Sequence, residues 1–151
     1  MTAAPKTSTA DVWARFGDLG RFGLIAAALV LPLKRRDFDG SFDALTAVVA
    51  TSALCKAVKP FVPERRPNGE DWNSFPSQHA AESFAAALAL RRYFGRGTGA
   101  AAIGVGTLVA MSRLFALKHH ARDIVAGIVI GATATVLVEA NGGKMSMQAA
   151  H

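Results

Sequence analysis

His79, His119, Lys59, Arg66, Arg113, Ser77 and Asp123 stand in three short stretches of this 151-residue chain, at spacings that suit phosphoryl transfer. The first stretch runs Lys59-Pro60-Phe61-Val62-Pro63-Glu64-Arg65-Arg66-Pro67. The second is Pro76-Ser77-Gln78-His79, and the third is Ser112-Arg113 followed by His119 and Asp123. A phosphate ester is an anion whose transition state spreads charge over its equatorial oxygens. Catalysis is then chiefly positioning and electrostatic stabilisation. Arg66 and Arg113 offer planar forks for phosphate oxygens, and Lys59 adds a point charge. Ser77 stands where a helix should begin, so its hydroxyl and the first-turn N–H groups can face an anion. His119 and Asp123 are four residues apart. On a helix they share a face, so the carboxylate can hold one ring N–H and leave the other nitrogen to attack phosphorus. His79 can protonate the departing oxygen.

Each residue taken alone has a plainer reading. Lys59 and Arg113 suit interfacial anchors, Ser77 an N-cap, and Asp123 a complement to a helix dipole. His120 is expected to be structural, and Arg65 and Arg122 to face solvent or head groups. Joint occurrence beside apolar helices favours function, because ionisable groups there are costly. The inventory does not suit a metal or other cofactor. Cys55 is the single cysteine, and the four histidines lack ligand spacing on a helix apart from the pair His119-His120. Asp37, Asp39 and Asp43 are expected to form a solvated turn and helix cap.

Five helices are expected to position these groups. They cover Asp11 to Leu33, Ser41 to Val58, Ser77 to Phe94, Ala100 to Leu117 and His119 to Glu139. Ser41 suits an N-cap, Gly95 to Gly99 a break, and Asn141-Gly142-Gly143 a stop. Lys59 to Phe75 is broken by Pro60, Pro63, Pro67 and Gly69, so it is a long loop between the second and third helices. Residues 1–10 are expected to be a disordered start, residues 11–140 one membrane domain, and residues 141–151 a flexible tail.

Hydrophobic residues make up 51% of the chain and charged residues 19%, more apolar than an average soluble domain. Several helices are apolar nearly all round, where a small soluble bundle would show a charged face on each. The expected fold class is therefore all-α, an integral membrane bundle of about five helices. The net charge of +6 sits in short clusters such as Lys34-Arg35-Arg36 and Arg91-Arg92. That placement suits membrane topology and anionic lipid rather than nucleic acid, for which interleaved aromatic residues are missing. With both clusters in the cytoplasm, the loop and the Lys118–Arg122 corner emerge together on the other side. The three stretches converge there, although they played no part in the assignment.

At this point the chain resembles the type-2 phosphatidic acid phosphatase / vanadium haloperoxidase superfamily. Its pattern is K-x6-R-P, P-S-G-H and S-R-x5-H-x3-D, and the resemblance covers residues 59 to 123. It implies that His119 is the nucleophile, Asp123 its orienting carboxylate and His79 the general acid. It implies that Lys59, Arg66, Ser77 and Arg113 bind phosphate, with Gln78 beside them where the family has glycine, and that no metal is needed. The implied activity is metal-independent hydrolysis of a lipid phosphate or lipid pyrophosphate through a phosphohistidine. The implied location is a bacterial inner membrane, with the site facing the periplasm. Two other readings are a vanadate-dependent haloperoxidase and, because of Gln78, a catalytically silent lipid-binding protein.

Overall fold

The computed structural model describes residues 8–148, with side-chain surroundings given for residues 8–141. Residues 1–7 and 149–151 of the expected termini lie outside that range. Four α-helices follow in chain order: α1 Thr9–Lys34, α2 Phe38–Val58, α3 Gln78–Phe115 and α4 Ala121–Gln148. All four are long and apolar enough to cross a membrane, with mean hydropathy between 1.3 and 1.8 over their best windows. There is no strand among the described residues.

Helix α1 starts two residues earlier than expected, because Ser8 and Asp11 form a reciprocal capping box. Helix α2 starts three residues early. Asp37 caps it by accepting from Gly40 N at 2.8 Å, while the Ser41 hydroxyl donates to the Leu29 carbonyl of α1. Pro60 then confines the chain to one 3-10 turn, Lys59–Phe61.

The expected third and fourth helices form one element, α3, broken at Gly95 (φ 80°, ψ −171°). Only glycine takes these angles without strain. The break is a reversal. A Cβ on Gly99 would meet Arg91, and one on Gly106 would lie 3.5 Å from Phe84, so residues 96–115 run back along residues 78–94. The bundle therefore has five rods from four helices. The break shrinks from the expected five residues to one because Arg96 and its neighbours continue the helix directly.

Small residues let the rods approach closely. The core contains Ala28, Ala44, Ala47, Ala80, Ala85, Ala86 and Ala87, all nearly inaccessible. Leu19, Phe22, Val49, Leu108, Val125 and Val129 face outward, as a lipid environment requires. Gly127 and Gly131 of α4 sit on the Ser77 and Ala81 carbonyls, where a Cβ would lie 2.3 and 2.2 Å away. Gly127→Val should destabilise the bundle by about 3 kcal/mol or more through overpacking, measured as a lower Tm in detergent. An unchanged Tm would show that α4 does not pack this closely.

Candidate active site

The loop of residues 62–77 is a pinned scaffold. Glu64 N donates to Trp72 O, Ser74 N to Glu64 O, and Arg66 N to Asp71 O. Gly69, at φ 76°, closes the tip. The loop is fastened to the corner between α3 and α4 as well. Asn68 N donates to Leu117 O at 3.0 Å, Lys118 pairs with Glu70, and Arg122 pairs with Glu64. Arg122 is exposed, as expected, and from that surface position it also clasps the loop.

His119 lies just before α4 and is 4% exposed. Its Nδ1 is 2.7 Å from the Ser74 carbonyl. A carbonyl only accepts, so Nδ1 carries the hydrogen and Nε2 keeps its lone pair. Burial pushes the imidazole down to about 3, and the Arg66 and Lys59 cations act in the same direction. The ring is therefore neutral across the physiological range. The same shift couples to folding, because the unfolded chain takes up a proton near the ordinary value of 6.5 while the folded chain does not. This contribution to stability is present above pH 6.5 and declines as pH falls toward about 3. His119→Asn should flatten that part of the Tm–pH curve, and an unaltered slope would contradict a neutral buried ring.

Asp123 is fully buried. Its Oδ2 accepts from the Ser74 hydroxyl at 2.5 Å and from His120 N at 2.8 Å, but stands 3.8 Å from His119 Nδ1. The expectation of a direct carboxylate–imidazole bond is replaced by an indirect one. Asp123 braces Ser74, and the Ser74 carbonyl holds the ring. The physical reason is that α4 begins at Ala121, so the two residues are not one turn apart on a common helix. Ser74 escaped the sequence reading because its contribution to the ring is a backbone carbonyl.

Ser77 caps α3, and its N–H donates to the Asp123 carbonyl at 2.9 Å. The starts of α3 and α4 are thereby joined. Lys59 reaches the Asn73 and Pro76 carbonyls at 2.7 and 3.1 Å. Arg66 gives its Nε to Asp71 at 2.8 Å, leaving both terminal nitrogens without a partner among the described residues. Lys59, Arg66, Ser77, His119 and Asp123 thus gather around one end of the bundle.

His79 and Arg113 form a second group at that end. His79 Nε2 is 2.7 Å from Asp18 Oδ1, and Arg113 Nη1 is 3.4 Å from the same oxygen. Arg113 is buried and directs Nη2 at the Trp13 and Ala14 carbonyls, so its fork is engaged by α1. Its backbone carbonyl accepts from His119 N at 3.4 Å, which keeps the two groups adjacent. Gln78 does not join them. Its amide donates to Glu82 at 2.7 Å, one turn deeper, where Glu82 also meets Arg21 and Ser52.

Glu64, His120 and Asp123 place one donor atom each within 4.8 Å of one another. Arg122 already clasps Glu64, so a cation there would have to displace a guanidinium. A cavity of about 310 Å³ lies at the far end, lined by Leu88, Arg91, Arg92, Thr135, Val136 and Glu139. It contains no histidine and is remote from the three stretches.

The PAP2 superfamily model matches residues 40–141. Decaprenylphosphoryl-5-phosphoribose phosphatase from two strains of Mycobacterium tuberculosis is 32% identical over 126 residues, covering 79% of this chain and 69% of the relative. Among solved structures, Aquifex aeolicus LpxE superposes with a TM-score of 0.74 at 20% identity, over 90% of this chain and 87% of that one. That likeness supports the five-rod architecture. The family match takes in all three stretches, and on that match and the mycobacterial relative the chain belongs to the PAP2 superfamily.

Proposed function

We propose that the protein hydrolyses the phosphate monoester of a membrane lipid through a phosphohistidine on His119. Family membership and 32% identity to a phosphatase make the chain a phosphoric monoester hydrolase. Its membrane-crossing helices favour a lipid-borne substrate. The mycobacterial relative is named for a phosphate on a sugar linked to a polyprenyl lipid, which makes polyprenyl-linked phosphates the first class to assay.

The observation that carries the mechanism is the pinned, neutral His119 ring, with Nδ1 on Ser74 and Nε2 unencumbered. Nε2 attacks phosphorus as the bond to the lipid oxygen breaks, and that oxygen takes a proton from His79. Water then attacks phosphorus and gives its proton to His79. The P–N bond breaks and inorganic phosphate leaves. Arg66 and Lys59 stabilise the charge on the transferring group. The clusters Lys34-Arg35-Arg36 and Arg91-Arg92 cap the opposite end of the bundle. By the positive-inside rule the site then faces the periplasm of a bacterial inner membrane.

The test is phosphate release from a panel of lipid phosphates in detergent, with EDTA present. Release is expected to persist in EDTA and to be blocked by vanadate. Turnover that requires an added divalent cation would overturn the metal-independent reading.

A further inference from the structure

Helix α1 lies wholly before the residues that the family model matches, yet it touches two groups of the site. Gly17 leaves room for the Arg113 guanidinium, since a Cβ there would sit 2.0 Å from Nη2. The Trp13 and Ala14 carbonyls accept from that same nitrogen. Asp18, one residue on, presents a single oxygen to His79 Nε2 and Arg113 Nη1. The Asp18 carboxylate is half-exposed, and His79 and Arg113 are its partners. The other charged group facing His79 is Arg21, also from α1.

We propose that α1 forms a socket for the proton-donating end of the site, in which Asp18 is a positioning residue holding His79 and Arg113. With Nε2 of His79 on Asp18, Nδ1 is the nitrogen that delivers a proton to the departing lipid oxygen. Asp18 never touches substrate. It orients the ring and balances the charge of the protonated imidazole. This inference rests on the reading of His79 as the acid.

Leaving-group chemistry separates this role from a structural one. A lipid alkoxide must be protonated as it leaves, whereas p-nitrophenolate leaves unassisted. Asp18→Asn should lower kcat on a lipid phosphate by roughly 10- to 100-fold, but on p-nitrophenyl phosphate by no more than about threefold. Asp18→Glu, which moves the carboxylate by one methylene, should lower the same lipid-to-aryl ratio by about threefold to tenfold. It serves if the asparagine variant does not fold. In a His79→Gln background neither change should alter the ratio.

Equal losses on both substrates would show that Asp18 only supports the fold. A lower KM with raised turnover would show instead that Asp18 competes with phosphate for the site. Either result overturns the proposal while leaving His119 chemistry intact. A wild-type protein inactive on both substrates would remove the proposed function as well.

Discussion

Replacing His119 with alanine should lower phosphate release by about 10⁴-fold or more, because it removes the atom that the proposed mechanism bonds to phosphorus. The loss should fall on kcat, since the proposed phosphate ligands Lys59 and Arg66 remain. KM therefore changes little. His119→Asn keeps much of the shape and a donor for the Ser74 carbonyl, so the fold survives while the chemistry does not. Steady-state kinetics in detergent, with Tm as the control for folding, checks both statements. An alanine variant that retains more than a hundredth of wild-type release would be incompatible with a nucleophilic histidine at this position.

Asp123→Ala carries the second largest effect, and it acts on two observables together. The substitution strips the acceptor from the Ser74 hydroxyl and from His120 N. Leaving these buried donors unpaired destabilises by about 1–3 kcal/mol each. The Ser74 carbonyl then loses its brace, and the His119 ring loses its fixed direction. Turnover should fall by about 10²- to 10³-fold, less than for His119, because Nε2 is still present. Ser74→Ala keeps the carbonyl and removes only the hydroxyl, so it should lower turnover by about tenfold. The two substitutions break one connection, and the double variant should be no worse than Asp123→Ala alone. Additive losses would mean that Asp123 reaches the ring by another route.

The rods and the motif residues were legible in the sequence for simple reasons. Prolines and Gly69 between Lys59 and Phe75 forbid a helix, and the apolar stretches around them have membrane character. The Gly95 reversal was visible as a glycine-rich break, although its compression to one residue was not. Contacts made by backbone were invisible. Ser74 matters to His119 through a carbonyl, and every residue has one. Asp18 was invisible for a different reason, as it stands 61 positions from His79 and 95 from Arg113. Gln78 was read as a neighbour of substrate. Its spacing of four from Glu82 on one helix already allowed the pairing that the structure shows. Asp123 was assigned to the right neighbourhood, but it stands 3.8 Å from His119 and hydrogen-bonds Ser74 and His120 N instead, because the helix starts after His119 rather than at it.

The most direct test of the central claim is the stereochemical course at phosphorus. A monoester made chiral with three oxygen isotopes is turned over in the presence of an acceptor alcohol, and the product configuration is read by NMR. Two in-line displacements through His119 give retention. Inversion would mean that the acceptor attacks phosphorus directly, and that no phosphohistidine lies on the path.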